Sequence, residues 1–168
     1  VIVLSDSSPL ISLSKIGLVE LLPQLYDKVT ITPEVYAEVV VSGGGRPGAS
    51  EIAKATWIEV KPAKRTGEIS QAKDRFPLGV GELSTILLAL ELGADLILID
   101  DLTARKHARE NGFICLGCVG ILEYAFHLNL ISDLPHAYKQ LLASGAYVAR
   151  SVCEASLQGL HLPRLDAD

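Results

Sequence analysis

Four carboxylates stand at strand ends, at a helix start or on a helix stripe: Asp6 in "VIVLSDS", Glu38 in "ITPEVYAEV", Glu82 in "LGVGELSTILLALELG" and Asp100 in "ADLILIDDLTARKHARENG". Asp101 adjoins the last of them, and Arg105, Lys106 and Arg109 follow. Carboxylates gathered in one place raise each other's pKa unless positive charge sits among them. No Lys or His occupies a neighbouring position in these motifs, so a divalent cation is the economical counter-charge. An all-oxygen ligand set with room for water suits Mg²⁺ or Mn²⁺ better than zinc. Two strand ends, one helix start and one helix stripe could converge on a single edge and share that cation.

Each residue also has a plainer reading. Asp6 suits a turn or cap, followed as it is by Ser7, Ser8 and Pro9. Ser7 is either a phosphate donor or a helix N-cap. Glu34 and Glu38 form one narrow acidic stripe on an otherwise apolar helix, facing solvent or a cleft. Glu82 lies in the first turn of its helix, where an acid complements the dipole. It nevertheless aligns with Ile86 and Ala89, while Ser84 and Glu91 mark the polar side. Arg105 and Arg109 lie one turn apart, for substrate phosphates or for pairing with Asp101 or Glu110.

The elements that would position these groups alternate along the chain. Short apolar strands are predicted at 1–5, 29–32, 57–60, 95–99 and in "FICL". Between them lie a helical stretch at 8–26 broken at Gly17 and Pro23, a helix capped by Thr32 with Pro33 first, and a short helix in "GASEIAKA". Residues 61–78 carry five basic residues without apolar periodicity and read as an extended, mobile loop. A helix then runs from Val80 to Gly93, another ends at Gly112, and further helices cover "VGILEYAFHLNL" and "PHAYKQLLASG". Such alternation predicts an α/β fold around a mostly parallel sheet, with ligands beyond the carboxyl ends of the strands. Asp6 and Asp100 close two strands and would share that edge. Residues 1–145 form the predicted domain and 146–168 a helical extension of it.

Composition bounds the function. A chain of 168 residues with 49% hydrophobic and 21% charged residues reads as one globular domain. No apolar run has membrane-spanning length, and residues 1–10 lack the basic flank and cleavage site of a secretory signal. Three cysteines without an export signal favour a reducing cytoplasm. The net charge of −5 argues against a protein that coats nucleic acid, though not against a nuclease. "CLGC" has the spacing of a redox pair or half a zinc site, but the missing ligands favour a buried, inert pair. "GVGELS" and "SGGGRPG" lack the Lys and the spacing of phosphate loops, so no nucleotide cofactor is expected.

The stretch from Asp6 to Gly17, with "ITPEVYAEV", "LGVGELSTILLALELGADLILIDDLTARKHARENG" and "GCVGILEYAFHLNLI", resembles the PIN-domain proteins, closest to the small prokaryotic branch related to VapC-type toxins. The resemblance covers about residues 2–143. It implies a three-layer α/β/α sandwich and Mg²⁺- or Mn²⁺-dependent cleavage of RNA. Carried over residue by residue, the acidic positions are Asp6, Glu38, Glu82 in a "GE" form, and Asp100 with Asp101 beside it. With those positions as ligands, a cation held by Asp6, Glu82 and Asp100, with Asp101 as competitor for the last place, would polarise a phosphodiester and lower the pKa of a bound water, and Glu38 would hold a second cation or orient that water. The resemblance also implies a homodimer and admits an antitoxin protein as partner, and a narrow acidic cleft favours single-stranded RNA over a duplex as substrate. A rival reading is a catalytically silent PIN-like module kept for protein interaction. A receiver-like signalling domain would place its acidic pair after the first strand and a Lys after the last, unlike "VLSDS" and "FICLGC".

Overall fold

The computed structural model describes residues 1–166. Ala167 and Asp168, at the end of the predicted extension, and the side chains of Thr66, Ser70 and Lys73 lie outside the described residues. In chain order, β1 (Val3–Ser5) leads to α1 (Ser7–Lys15) and α2 (Leu21–Tyr26), and β2 (Val29–Ile31) to α3 (Pro33–Tyr36) and α4 (Ala49–Lys54). Next, β3 (Ile58–Val60) leads to α5 (Thr66–Lys73) and α6 (Val80–Leu92), and β4 (Leu96–Leu98) to α7 (Leu102–Glu110). Finally, β5 (Cys115–Leu116) leads to α8 (Cys118–His127), α9 (Leu134–Ala143) and α10 (Arg150–Gly159).

The five strands are all parallel, in the order β3-β2-β1-β4-β5. Successive side chains on a strand face opposite sides, and both sides are covered. Val3, Ile31 and Leu98 enter one core with α1, α8, α9 and α10, where Tyr138, Cys153 and Leu157 are buried. Leu4, Ile97 and Ile99 enter the other with α6 and α7. The result is the expected three-layer α/β/α sandwich. Its chain winds outward in both directions from the β1–β4 pair, whose register sets Ser5 beside Leu98. At such a switch point the connections leave in opposite directions and open a crevice at the carboxyl edge. Asp6 and the Asp100–Asp101 pair emerge there.

Three local expectations are corrected. Residues 61–78 are not an extended loop. They contain α5, and Ala63, Ile69 and Leu78 are buried in the core beneath it. The backbone N–H groups of Lys64 and Arg65 donate to the Glu91 carboxylate at 2.9–3.1 Å, which anchors the segment to the end of α6. Its apolar residues are too sparse to show a period, because the surface they cover belongs to α6. Pro23 does not break a helix; it occupies the first turn of α2, where its missing N–H is tolerated. The helix carrying Glu38 is not regular either. After Tyr36 it widens into a π-helical turn, Ala37–Val41, with Ser42 N–H donating to the Ala37 carbonyl. Val35 and Val39 are buried while Ala37 and Val41 are exposed, so the helix is buried on one side only.

Candidate active site

Asp6 follows β1 directly and its backbone N–H donates to the Leu98 carbonyl oxygen of β4 at 2.9 Å. The residue is only 2% exposed. Burial, foremost, pushes its pKa up to about 7, and the negative charges of Glu82 and Glu38 push the same way. The Ser7 N–H and the Ser8 hydroxyl, which donates to Oδ2 at 3.3 Å, oppose the shift without cancelling it. Ser7 is the first residue of α1 and not its cap; its hydroxyl makes a long, 3.5 Å bond to Asp6 Oδ1. The charged groups acting on Asp6 are therefore both negative.

Glu82 is held at the start of α6, where its Oε2 accepts the Gly79 N–H at 2.8 Å. Burial again raises its pKa, joined by the charges of Asp101 and Glu38 and opposed by the Gly79 bond. Glu38 reaches this turn from the π-helical segment. A Cβ at Gly81 would stand 2.7 and 2.8 Å from the two Glu38 carboxylate oxygens, so only glycine leaves them room in this position. A buried hydroxyl pair joins the two helices: Thr32 Oγ1, the cap of α3, lies 2.7 Å from Ser84 Oγ, which donates to the Gly81 carbonyl at 2.9 Å. Ser84 is fully buried, which corrects its assignment to the polar side of α6. A polar residue at this register position acts as a cross-helix tie.

Asp100 is engaged differently. Its Oδ1 accepts the backbone N–H of Cys118 at 2.7 Å, and its Oδ2 accepts the Cys118 thiol at 3.0 Å. Burial and then the Asp100 charge raise the thiol pKa well above its ordinary value, so the sulfur keeps its proton and donates. Gly117 permits this approach, since a Cβ there would overlap Arg105 Nη2 and stand 2.8 Å from Asp100 Oδ1. Cys118 is thus buried, as "CLGC" suggests, but it is the clamp on a candidate site residue. The signal for it was topological: β5 neighbours β4, so the first turn of α8 abuts the end of β4.

Asp101 caps α7 through a 2.8 Å bond from Ala104 N–H and acts electrostatically on Glu82. Arg105 folds back to donate to the carbonyl oxygens of Ile99 and Asp100 at 3.0–3.3 Å. Neither it nor Arg109 pairs with an acid among the described residues, because Glu110 is within ion-pair range of Lys106 and His107 instead. The structure therefore brings Asp6, Glu38 and Glu82 into electrostatic reach of one another and Asp101 into reach of Glu82. Asp100 faces the start of α8. Among the described residues no group of three His, Cys, Asp or Glu side chains is placed to hold a metal ion. The donor chemistry nevertheless suits a hard cation, being all oxygen and lacking a positive partner.

The sheet is doubly wound and all parallel, with carboxylates at its switch point. The family model described as PIN domain matches residues 2–161, and the chain belongs to that family. PIN domains are generally nucleases, and those nucleases typically use divalent metals. No curated protein matches the chain.

Two outcomes follow from this geometry. An acid whose folded-state pKa lies above its unfolded value of 3.8 binds more protons when folded, so its stabilising contribution is complete below pH 3.8 and lost as pH rises through about 7. Ionising Asp6 would then cost on the order of 4 kcal/mol. In EDTA, Asp6→Asn is expected to melt above wild type at pH 8 and level with it near pH 4. A variant less stable than wild type at pH 8 would contradict the buried-charge account. For the clamp, Cys118→Ala should cost about 1 kcal/mol of stability in urea unfolding and Cys118→Ser should recover part of it through its hydroxyl. Equal losses would reduce the thiol to a packing group.

Proposed function

We propose that this protein is a Mg²⁺- or Mn²⁺-dependent endoribonuclease acting on single-stranded RNA. The observation that carries the reading is the Asp6 carboxyl, buried at the switch point with Glu38 and Glu82 as its charged neighbours. Asp6, Glu82 and one of Asp100 and Asp101 would hold the cation. Asp101 is favoured by its reach to Glu82, while Asp100 is anchored by Cys118. A bound cation would neutralise charge on the scissile phosphate and acidify a water. Glu38, exposed and leaning on Gly81, is free to orient that water and accept its proton. Ser7 steadies Asp6 and can turn its hydroxyl toward a phosphate, and Arg105 and Arg109 supply positive charge along the departing strand. Residues 1–145 form the nuclease unit and 146–168 its extension.

We propose a homodimer acting in the cytoplasm, with an antitoxin of the VapC-associated kind as a candidate partner. None of the helices among the described residues is long and apolar enough to cross a membrane. A chain of net charge −5 needs local basic surface to attract RNA, and Lys64, Arg65 and Arg75 are exposed around α5. The chain runs straight from α5 into the turn that carries Glu82.

Chelator-sensitive cleavage of a single-stranded RNA pool, lost in Glu82→Gln and Asp6→Asn, is the expected result. Inactivity on every RNA tried with Mn²⁺ present would favour the silent interaction module, and equal cutting of duplex DNA would refute the substrate assignment. Light scattering should give about twice the 18.0 kDa chain mass. Replacing Lys64, Arg65, Lys73 and Arg75 by Ala should weaken RNA binding and flatten its salt dependence. A monomer with unaltered salt dependence would remove both claims.

A further inference from the structure

A second feature lies on the far side of Asp100. A cavity of about 450 Å³ opens between α7, the start of α8 and the C-terminal segment ending in α10, within the size range of small-ligand sites. Its lining is mainly apolar, with Val152 half-exposed and Tyr147 at the wall 93% exposed. Such an exposed aromatic ring stabilises nothing in the folded chain and offers a face for stacking.

The polar groups around this cavity are few and of two kinds. Arg105 and Arg109 come from α7, without acid partners among the described residues. Arg105 commits Nε and Nη2 to backbone carbonyls, while its Nη1 donates to no described group. Glu123 comes from α8 and is held from behind. Ser156 donates its proton to Glu123 Oε2 at 2.6 Å, and the Tyr138 hydroxyl, 2.7 Å from Ser156 Oγ, shares its single proton between that oxygen and the Val119 carbonyl at 3.2 Å. This strut fixes the carboxylate and leaves Oε1 with no partner among the described residues. Cations thus occupy one wall and a fixed acceptor another, with an aromatic ring beside them.

We propose that this cavity binds one nucleotide of a single-stranded RNA and prefers guanine. Arg105 and Arg109 would take the phosphate as charge-assisted donors. Tyr147 and Val152 would cover the base. Glu123 would accept the N1–H and N2–H pair on its Watson–Crick edge, an arrangement uracil cannot match because it offers a single N–H between two carbonyls. The proposal rests on the nuclease reading only in taking the ligand to be part of a substrate strand. Asp100 lines this cavity and follows β4, whose neighbour β1 ends at Asp6, so the bound nucleotide would set which phosphodiester reaches the acidic edge.

Binding can be measured without cleavage. Titrating the full chain with GMP, UMP and inorganic phosphate, while following amide resonances of Gly117, Gly120, Val148 and Val152, should move these amides with GMP the tightest. Glu123→Gln should weaken GMP about tenfold and leave UMP unchanged, and Tyr147→Ala should weaken both nucleotides but not phosphate. Tyr147 is too exposed for its loss to unfold the chain. Equal affinities for GMP and UMP, or phosphate binding as tightly as GMP, would overturn the base assignment. No response to GMP, with the same amides moved by an amphipathic Leu-rich peptide, would overturn the site in favour of a protein partner. Local, Glu123-dependent GMP binding in a protein inactive on RNA would uphold this site and refute the nuclease reading; active cleavage with no local GMP response would do the reverse.

Discussion

The carboxyl edge of this sheet is organised around a charge that the fold buries without neutralising. Asp6 cannot retreat to solvent, because its own N–H is bonded to β4 and the chain must turn at once into α1. Parallel pairing of β1 with β4 then brings the Asp100–Asp101 pair to the same edge. The helices after β2 and β3 bring Glu38 and Glu82. Desolvation and like-charge repulsion oppose this gathering, and both push the Asp6 and Glu82 carboxyls above their ordinary pKa values. A core already closed on both faces of the sheet can sustain such an unfavourable patch, and a cation would relieve it.

Missing side chains do as much here as present ones. Gly81 lets the Glu38 carboxylate rest against α6, and Gly117 lets Asp100 and Arg105 close on the first turn of α8. The Thr32–Ser84 bond sets the distance between the two helices carrying Glu38 and Glu82. These contacts couple residues from four different strand-helix connections, so a shift in one helix would be felt by the acids on the others. The π-helical turn under Glu38 fits the same picture, as such turns recur at functional sites.

The C-terminal segment enlarges this edge. Cys153 and Leu157 seat α10 in the same core as α1 and α8, which leaves its other side to close the cavity against α7. Asp100 therefore lines a mixed cavity with arginines and a fixed glutamate, while its neighbour Asp101 acts on Glu82 in the acidic crevice. A nucleic-acid strand laid along the edge would meet both.

The alternation of strand and helix, the parallel sheet, and the candidate acids were legible in the sequence. Apolar runs too short for helices must be buried strands, and strand-end acids in a parallel sheet share one edge by topology. The cap of α3 was legible too, since Thr32–Pro33 is a local signal. What the sequence left open was every question of approach. It could not choose between Asp100 and Asp101, because the choice turns on which carboxylate meets Cys118 and which one meets Glu82. It read 61–78 as mobile because burial of Ile69 depends on the surface of α6, and it placed Ser84 on a solvent side that α3 occupies. Periodicity reports which face of one element is apolar; only tertiary packing decides what that face, and its polar neighbours, come to touch.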